Sequence, residues 1–247
     1  MNDSLVREHY RNFLGKHYEW MCGPVKERVA AVAEWFKKNL IVPSGHGQWA
    51  LDLGCGHGIQ SLALVELGFH VVAVDQDESL LESLAQTSNQ SITIATGNLN
   101  QCTTIDVPNE SYAVAVCMGD TLTHLQDQEH VKGMLGWVHG MLSDDGWIVL
   151  EFRELTVPLK GSDRIVPVRM EADKVMLAFL EYLPSTVQVH DVVLTRKGDS
   201  WEMEKSNYPK IRLSADMILG FLHALNMKTQ TMRNDRGMVQ ILAQKQS

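Results

Sequence analysis

The length, composition and charge of the chain exclude several classes of protein. Its 247 residues are 45% hydrophobic, which suits one large folded domain rather than a disordered segment. Lys and Arg total 22 against 30 Asp and Glu, and the resulting formal charge of -8 disfavours a nucleic-acid substrate. The apolar runs fall short of the roughly 20 residues that a membrane-spanning helix needs. We therefore expect a soluble protein with neither a membrane nor a nucleic acid as partner.

The four cysteines are dispersed along the chain without C-x-x-C spacing: Cys22, Cys55, Cys102 and Cys117. No leader with a charged and then an apolar part precedes them. This usage predicts free thiols and a cytoplasmic localisation.

Apolar periodicity predicts alternating helices and strands through residue 152. The N-terminal region ends in an amphipathic helix predicted from Pro24 to Leu40. Predicted strands follow at 49–53, 69–74, 91–95, 113–117 and 147–152, with helices at 59–67, 78–86 and 129–142. Unbroken apolar runs such as Val71–Val74 are typical of strands covered on both faces of a parallel sheet. The pattern predicts a doubly wound α/β fold with a mostly parallel, Rossmann-like sheet.

The alternation of predicted helices and strands ends after Phe152. Three long strands at 175–183, 186–196 and 200–213, joined by short turns, predict an antiparallel β insertion after the fifth strand. Ser214 then caps a helix that runs to Leu225, and strands at 227–233 and 238–244 form a closing hairpin. This hairpin brings the predicted main sheet to seven strands.

A glycine-rich turn follows the first strand, in the segment Leu51-Asp52-Leu53-Gly54-Cys55-Gly56-His57-Gly58. Glycine lets the backbone approach a ligand closely. A G-x-G-x-x-G dinucleotide fingerprint would need a glycine at position 59, which is Ile59, so a nicotinamide cofactor is the second choice. Asp75 ends the next strand, where a carboxylate can accept both hydroxyls of a ribose. The structural alternatives are a turn needed only for helix packing and a strand-end cap.

These residues resemble the first motif of the class I S-adenosylmethionine-dependent methyltransferases, an acidic residue followed by G-x-G-x-G. The resemblance implies that the turn passes beneath the methionine part of S-adenosyl-L-methionine, that Asp75 holds its ribose and that Asp52 contacts its amino group. Gly97-Asn98-Leu99 is similar to the family motif beside the adenine, with Asn98 where Asp is usual. The implied cofactor-binding residues are Asp52, Gly54, Cys55, Gly56, Gly58, Asp75, Gln76, Asn98, Leu99 and Met118.

Three short segments resemble the glycine N-methyltransferases. Residues 117–125 carry Gly119-Asp120 and His124-Leu125 where that family has a Gly-Asn and a His-Leu pair. Glu151-Phe152-Arg153 resembles the end of its fifth strand, where an Arg grips the substrate carboxylate, and Tyr208-Pro209 resembles a Tyr-Pro pair. Sugar-amine N-methyltransferases share the antiparallel insertion. The resemblance implies a small-molecule methyl acceptor, and the charge of Asp120 favours an amine.

The acceptor-side residues have a functional and a structural interpretation each. Arg153 is expected to pair with an anionic group, or else with Glu151 or Glu154. Asp120 or Tyr208 would orient the nucleophilic nitrogen. In the structural interpretation, Asp120 caps a turn and Tyr208 belongs to the core of the insertion. His124 is a candidate general base because imidazole titrates near neutrality, or it holds its loop.

The N-terminal region is predicted to form a helical lid. Tyr18 and Trp20 offer aromatic faces that suit a sulfonium, or they pack as a hydrophobic clasp. The sequence lacks metal-ligand spacing, so no metal is expected. We expect one domain with a lid at 1–44, a cofactor-binding half at 45–153, the insertion at 154–213 and a final helix and hairpin at 214–247.

Several alternatives stay open at the level of sequence. The acceptor atom can be nitrogen, oxygen, sulfur or carbon, since one sheet hosts all four chemistries. A protein or nucleic-acid methyltransferase and a non-catalytic cofactor-binding subunit are the other classes considered. Residues 117–120 lack the Asn or Asp followed by Pro-Pro and an aromatic that is usual in enzymes methylating base amines. The insertion either covers the site or forms the surface of a homodimer.

Overall fold

The computed structural model describes residues 2–87, 91–235 and 237–246. The chain divides into two compact units. The seven-stranded unit comprises Val25–Glu154 and Leu213–Ser247, and the four-stranded unit comprises Met1–Pro24 and Leu155–Arg212. Within the described residues, no helix is both long enough and apolar enough to cross a membrane.

The elements follow one another in a regular order along the chain. The α-helices are α1 (Asn2–His9), α2 (Gly15–Cys22), α3 (Val25–Lys38), α4 (Ile59–Glu66), α5 (Glu78–Thr87), α6 (Gln128–Met141) and α7 (Ala215–Ala224). The strands are β1 (Trp49–Leu53), β2 (His70–Asp75), β3 (Ile92–Thr96), β4 (Tyr112–Cys117), β5 (Leu142–Phe152), β6 (Ile165–Met170), β7 (Lys174–Tyr182), β8 (Thr186–Lys197), β9 (Ser200–Ile211), β10 (Met227–Arg233) and β11 (Val239–Lys245). A π-helix (Tyr10–Leu14) joins α1 to α2, and 3₁₀ helices occupy Leu99–Thr104, Thr121–His124 and Gly161–Arg164.

The seven-stranded sheet has the order β10-β11-β5-β4-β1-β2-β3. Strands β1 to β5 pair in parallel, and β11 joins β5 and β10 in the antiparallel sense. This confirms the predicted mostly parallel, Rossmann-like sheet with its closing hairpin. The strand order reverses between β1 and β4, and ligands of open α/β sheets bind outside the carboxyl ends of the strands at such a switch point.

The central strands are buried on both faces. Ala50, Leu51 and Leu53 of β1 and Val71–Val74 of β2 have almost no exposed surface. Helix α3 packs Val29 and Phe36 into the same core. Double coverage explains why these strands are unbroken apolar runs in the sequence.

The four-stranded unit contains an antiparallel sheet in the order β6-β7-β8-β9. Three of these strands were predicted, whereas β6 was not. Pro167 lies within β6 and cannot donate a backbone hydrogen bond, which a strand at the edge of a sheet tolerates. One face of the sheet is buried against the N-terminal helices, through Val6, Phe13 and Leu14.

Some observed ends of helices and strands differ from the predicted ones. Helix α3 ends at Lys38 rather than Leu40, which has a positive φ of 61°. Strand β5 begins at Leu142 rather than Trp147, because Leu142 pairs with Tyr112 across an irregularity in the register. Helix α6 therefore ends one residue earlier than predicted.

Candidate cofactor site at the carboxyl ends of the parallel strands

The three glycines of the turn between β1 and α4 have different roles. Gly54, Gly56 and Gly58 all adopt positive φ, at 69°, 52° and 76°. A Cβ on Gly54 would lie 2.2 Å from Cγ2 of Thr121, and a Cβ on Gly58 would lie 2.3 Å from Cδ1 of Leu84. A Cβ on Gly56 would meet nothing within 4 Å. Two glycines are therefore required by packing, and Gly56 presents bare backbone to open space.

Asp75 is tied to this turn by its side chain. Its Oδ2 accepts the backbone N–H of Gly56 at 2.8 Å, and its Oδ1 accepts that of Asp77 at 3.0 Å. Burial raises the pKa of Asp75 above its ordinary value. A carboxylate offers about four lone-pair sites, so Asp75 keeps acceptor capacity beyond its bonds to these backbone N–H groups. This arrangement fits a pair of ribose hydroxyls.

Asp52 lies beneath the turn with only 1% of its surface exposed. The hydroxyl of Ser61, in the first turn of α4, donates to its Oδ2 at 2.6 Å. Burial raises the pKa of Asp52 to about 7. A cationic group brought close to this carboxyl would favour its charged form, so the site fits an ammonium ligand. Ser61 was not among the predicted site residues, because a serine in a helix carries no signal of its tertiary partner.

The other predicted cofactor residues lie in the turn or just after strands β2, β3 and β4. Oε1 of Gln76 is buried and has no hydrogen-bond partner within the described parts of the chain. Oδ1 of Asn98 accepts the N–H of Asn100 at 2.9 Å and so caps a 3₁₀ helix. Cys55, Leu99 and Met118 are buried hydrophobic residues. The vacant acceptor on Gln76 is a further feature that suits a bound ligand with a donor group.

The cysteines are thiols where the structure describes them. Cys55, Cys102 and Cys117 are free and buried, as predicted, and burial raises their pKa values. The side chain of Cys22 lies outside the described residues. No cluster that could hold a metal ion occurs among the residues that the structure describes.

Asp120 joins the ends of β4 and β5. It has a positive φ of 78° and is 7% exposed. Its Oδ1 accepts the backbone N–H of Arg153 at 2.8 Å and the hydroxyl of Thr123 at 3.2 Å. Its own N–H donates to the carbonyl of Glu151 at 3.2 Å. The carboxylate therefore has a structural role. Neither the backbone N–H of Arg153 nor the hydroxyl of Thr123 was predicted as its partner.

Arg153 is half-buried, and the two acidic residues considered as its ion-pair partners bind elsewhere. Oε2 of Glu151 accepts hydrogen bonds from Asn234 at 3.1 Å and from Gln240 at 2.6 Å. Glu154 forms an ion pair with Arg233. Both carboxylates therefore have partners other than the guanidinium of Arg153: Glu151 has two side-chain amides and Glu154 has a cation.

His124 ends the 3₁₀ helix that follows Asp120 and is half-buried. At the start of this helix, the hydroxyl of Thr121 donates to the carbonyl of Met118 at 3.1 Å, while its methyl group packs against Gly54. The loop that carries Asp120 and His124 is thus fixed against the glycine turn.

Tyr208 lies in the four-stranded unit, on β9, and is buried in that unit's apolar core. Its ring centroid is 4.1 Å from that of His9. Nδ1 of His9 lies 2.9 Å from Oγ of Ser206, and Nε2 lies 3.3 Å from Oδ2 of Asp191 without hydrogen-bond alignment. Tyr208 is therefore a core residue of this unit, as its structural interpretation required.

The two predicted lid aromatics also lie in the four-stranded unit. The indole N–H of Trp20 donates to Oε2 of Glu171 at 2.8 Å, and Nζ of Lys174 lies 4.5 Å from the centre of its ring. Tyr18 is half-buried and packs against an apolar cluster with Phe13. The ring of Trp20 is thus already engaged by a cation of its own unit.

Comparison with known proteins supports the same class. A family model described as a methyltransferase domain matches residues 50–146, which include the glycine turn, Asp75 and Asp120. Over this segment the chain is similar to a methyltransferase domain. The similarity favours S-adenosylmethionine over the nicotinamide alternative as the cofactor.

Two curated relatives of this chain are named as methyltransferases. It is 27% identical over 128 residues to a glycine/sarcosine N-methyltransferase of Aphanothece halophytica, covering 51% of this chain and 47% of that protein. It is 31% identical over 142 residues to a cypemycin N-terminal methyltransferase of a Streptomyces species, covering 52% and 56%. The chain spans about half the length of the curated relatives it matches.

Solved structures share the fold over nearly the whole chain. An S-adenosylmethionine-bound amino pentose methyltransferase from Micromonospora echinaspora superposes with a TM-score of 0.73 at 14% identity, covering 94% of this chain and 95% of that one. An S-adenosylmethionine-dependent methyltransferase from Clostridium acetobutylicum gives 0.71 at 13% identity, covering 96% and 99%.

Proposed function

We propose that this chain is a methyltransferase that transfers a methyl group from S-adenosylmethionine to an amine nitrogen of a small molecule that also carries an anionic group. The observation that carries the proposal is the tie between Asp120 and Arg153. The Asp120 carboxylate accepts the backbone N–H of Arg153, so the bond fixes an acidic and a basic residue next to each other beyond the carboxyl ends of two neighbouring parallel strands. An acceptor with an ammonium and an anionic group matches that charge pair. The nitrogen acceptors in the names of the two curated relatives support the same class.

The cofactor would be held by the glycine turn and the residues around it. Asp75 would accept the ribose hydroxyls, and the bare backbone at Gly56 would let the cofactor approach. Asp52 would stabilise the methionyl ammonium through its buried carboxylate. The remaining proposed contacts are Gly54, Gly58, Cys55, Gln76, Asn98, Leu99 and Met118.

When bound, S-adenosylmethionine supplies an electrophilic methyl group on a good leaving group. The protein's task is to align the acceptor nitrogen with that carbon and to remove a proton from the attacking amine. Arg153 would hold the anionic group of the acceptor, and Asp120 would orient its nitrogen. His124, at the end of the 3₁₀ helix in the same loop, would take up the proton. Alignment alone can lower a barrier by about 7 to 11 kcal/mol, so proton removal need contribute only a part.

Tyr208, Tyr18 and Trp20 remain proposed acceptor-side residues through the family resemblance. Tyr208 and Trp20 have partners within their own unit. Substituting either residue should therefore reduce stability as well as acceptor binding. Tyr208→Phe is the informative variant, because it keeps the ring that stacks on His9 and removes only the hydroxyl.

The test begins with isothermal titration of the full chain with S-adenosylmethionine and S-adenosylhomocysteine. Asp75→Ala should weaken binding at least tenfold, since it removes one or two charge-assisted hydrogen bonds worth about 1.5 to 3 kcal/mol each. Arg153→Ala should leave cofactor binding unchanged. Arg233→Ala is the matched arginine control, because that side chain pairs with Glu154.

A radiolabelled methyl-transfer screen over amino acids, amino sugars and short peptides would then identify the acceptor. Arg153→Ala should raise the acceptor KM more than it lowers kcat, and Arg233→Ala should do neither. Binding of neither cofactor form would contradict the proposed activity. Transfer only to oxygen, sulfur or carbon acceptors would contradict the nitrogen assignment and leave the cofactor assignment intact.

A further inference from the structure

The loop that follows β4 is tied at its far end to a side chain of another loop. We call residues 118–126, which include proposed acceptor residues, the acceptor loop. The backbone N–H of Gln126 donates to Oδ1 of Asn100 at 2.8 Å, across 26 residues of sequence. Asn100 belongs to the 3₁₀ helix Leu99–Thr104, which follows β3. The bond therefore joins two loops that both begin at the carboxyl edge of the parallel strands.

Asn100 is itself positioned by the proposed cofactor residues. Its backbone N–H donates to Oδ1 of Asn98 at 2.9 Å. One residue before Asn98, the N–H of Gly97 donates to the backbone carbonyl of Asp75 at 2.9 Å. A Cβ on Gly97 would lie 2.6 Å from Cγ1 of Ile105, so this segment is closed tightly on itself. The side chain of Asn100 thus extends from a backbone that the proposed ribose- and adenine-side residues hold in place.

The start of the acceptor loop is fixed by a different contact. The methyl group of Thr121 packs against Gly54 of the glycine turn. His124 lies between this contact and the bond of Gln126, at the end of the 3₁₀ helix that Thr121 begins. The chain leaves the helix after His124, since Leu125 is extended, with a ψ of 161°. The bond at Gln126 therefore fixes the backbone two residues beyond His124.

We infer that Asn100 is a positioning residue of the proposed methyl-transfer site, whose carboxamide oxygen places the end of the acceptor loop that carries His124. The inference rests on the proposed function, in which His124 takes up the proton of the acceptor amine. Asn100 acts through the backbone of Gln126 and not on the reacting atoms.

The bond also makes the acceptor loop depend on the segment that the cofactor would contact. A bound ligand changes the position of a loop only through contacts that differ between its two states. Residues 97–100 provide such contacts, because they lie between Asp75 and the acceptor loop in one series of hydrogen bonds. A cofactor that fixes residues 97–100 should therefore fix the acceptor loop as well.

The test is hydrogen–deuterium exchange of the full chain, read by mass spectrometry with fragmentation to single amides, with and without saturating S-adenosylhomocysteine. In the wild type, S-adenosylhomocysteine should slow exchange of the Gln126 amide about fivefold or more, the lower end of typical coupling between two sites. Asn100→Ala should speed this exchange about five- to tenfold, as expected for the loss of one hydrogen bond, and should abolish the slowing by S-adenosylhomocysteine.

Two further variants separate position from fold. Asn100→Asp keeps an Oδ acceptor and should restore both the slow exchange and its response to S-adenosylhomocysteine. Asn39→Ala is the matched control, because Nδ2 of Asn39 donates to the carbonyl of Trp35 at 2.8 Å, at the end of α3. It should leave exchange at Gln126 unchanged. Amides of the buried strand β1 should exchange at the wild-type rate in every variant.

Three results would overturn the inference. The first is a wild type that binds S-adenosylhomocysteine without any slowing at Gln126. The second is an Asn100→Ala variant that keeps the wild-type response, since the loop would then be held by another contact. The third is an equal rise of exchange in β1 of that variant, which would show loss of fold rather than of loop position. A wild type that binds neither cofactor form would contradict the proposed function itself, and titration distinguishes that failure from the other three.

Discussion

Oδ1 of Asp120 accepts the backbone N–H of Arg153 at 2.8 Å, across 33 residues of sequence. The bond links the third residue after β4 to the residue directly after β5. The side chain of Asp120 thus fixes the backbone of Arg153, and both residues belong to the proposed acceptor site. Any change at Asp120 is expected to alter both stability and acceptor binding.

Asp120→Ala should lower the free energy of unfolding by about 1 to 3 kcal/mol, because it leaves the Arg153 N–H without its acceptor. The Thr123 hydroxyl keeps its 2.8 Å bond to the backbone carbonyl of residue 120. Asp120→Asn keeps the Oδ1 acceptor and tolerates positive φ, so its loss should be smaller. Urea unfolding measures both. If Asp120→Ala were as stable as the wild type, the bond would not be a stabilising link. Asp120→Asn with normal stability and reduced transfer would isolate the role of the charge.

Gly56→Ala should abolish detectable cofactor binding with only a modest loss of stability. The added methyl group projects into open space, and a positive φ costs a non-glycine residue about 1 to 2 kcal/mol. Gly237→Ala is the matched control, since Gly237 also has a positive φ of 71° and open space around its Cβ. Both variants should show similar unfolding midpoints, whereas titration calorimetry should separate them. Equal cofactor affinity in the two would remove the glycine turn from the binding site.

The pKa of Asp52, raised by burial to about 7, makes stability depend on pH. An unfolded aspartate titrates near about 3.9, so between these values the native state holds a proton that the unfolded state has released. The free energy of unfolding should therefore fall as pH rises from about 4 to about 7 and then level off. Asp75, whose pKa burial also raises, contributes in the same direction.

Urea unfolding at pH 5 and at pH 8 measures this dependence. Asp52→Asn should reduce the difference between the two pH values, because an amide does not titrate, while the part due to Asp75 persists. Comparison of the variant with the wild type also removes the shared contribution of the ten histidines. An unchanged difference in the variant would show that Asp52 is ionised across the whole range.

His9→Ala should destabilise the four-stranded unit by about 1 to 3 kcal/mol, because Asp191 and Ser206 would lose a buried partner. A double-mutant cycle with Asp191→Asn checks the coupling of the pair. Asp173→Asn, an acidic residue of the same unit in an exposed turn, serves as a control for charge alone. Purely additive losses in the cycle would mean that His9 and Asp191 do not interact.

Much of the seven-stranded unit could be predicted because its signals are local. Strand β1 is an apolar run bounded by a glycine turn, and its predicted limits, Trp49–Leu53, match the structure. Asp75 was predicted at a strand end because its spacing from Gly54 is set by one strand-helix-strand unit. Such features depend on neighbours within about 30 residues, which sequence patterns record.

Other features depend on tertiary contacts that no pattern records. Strand β6 has exposed residues on both faces and a proline, so it lacks the alternation that identifies a strand. The partners of Asp120 and Asp52 come from different elements, and an acidic residue gives no sign of which distant donor it will meet. The sequence around Tyr208 was compatible with both a core residue and a site residue, because a buried aromatic has the same sequence signature in both roles.

The close approach of Thr121 to Gly54 has a consequence for engineering. The loop that would select the acceptor can be exchanged between homologues only if it brings a side chain of compatible shape to position 121. Gly54 packs so closely against this position that a larger side chain would not fit. A library that randomises 118–124 to alter acceptor choice should keep Thr121 fixed. Otherwise many of its members would lose the cofactor cradle before their new specificity could be assayed.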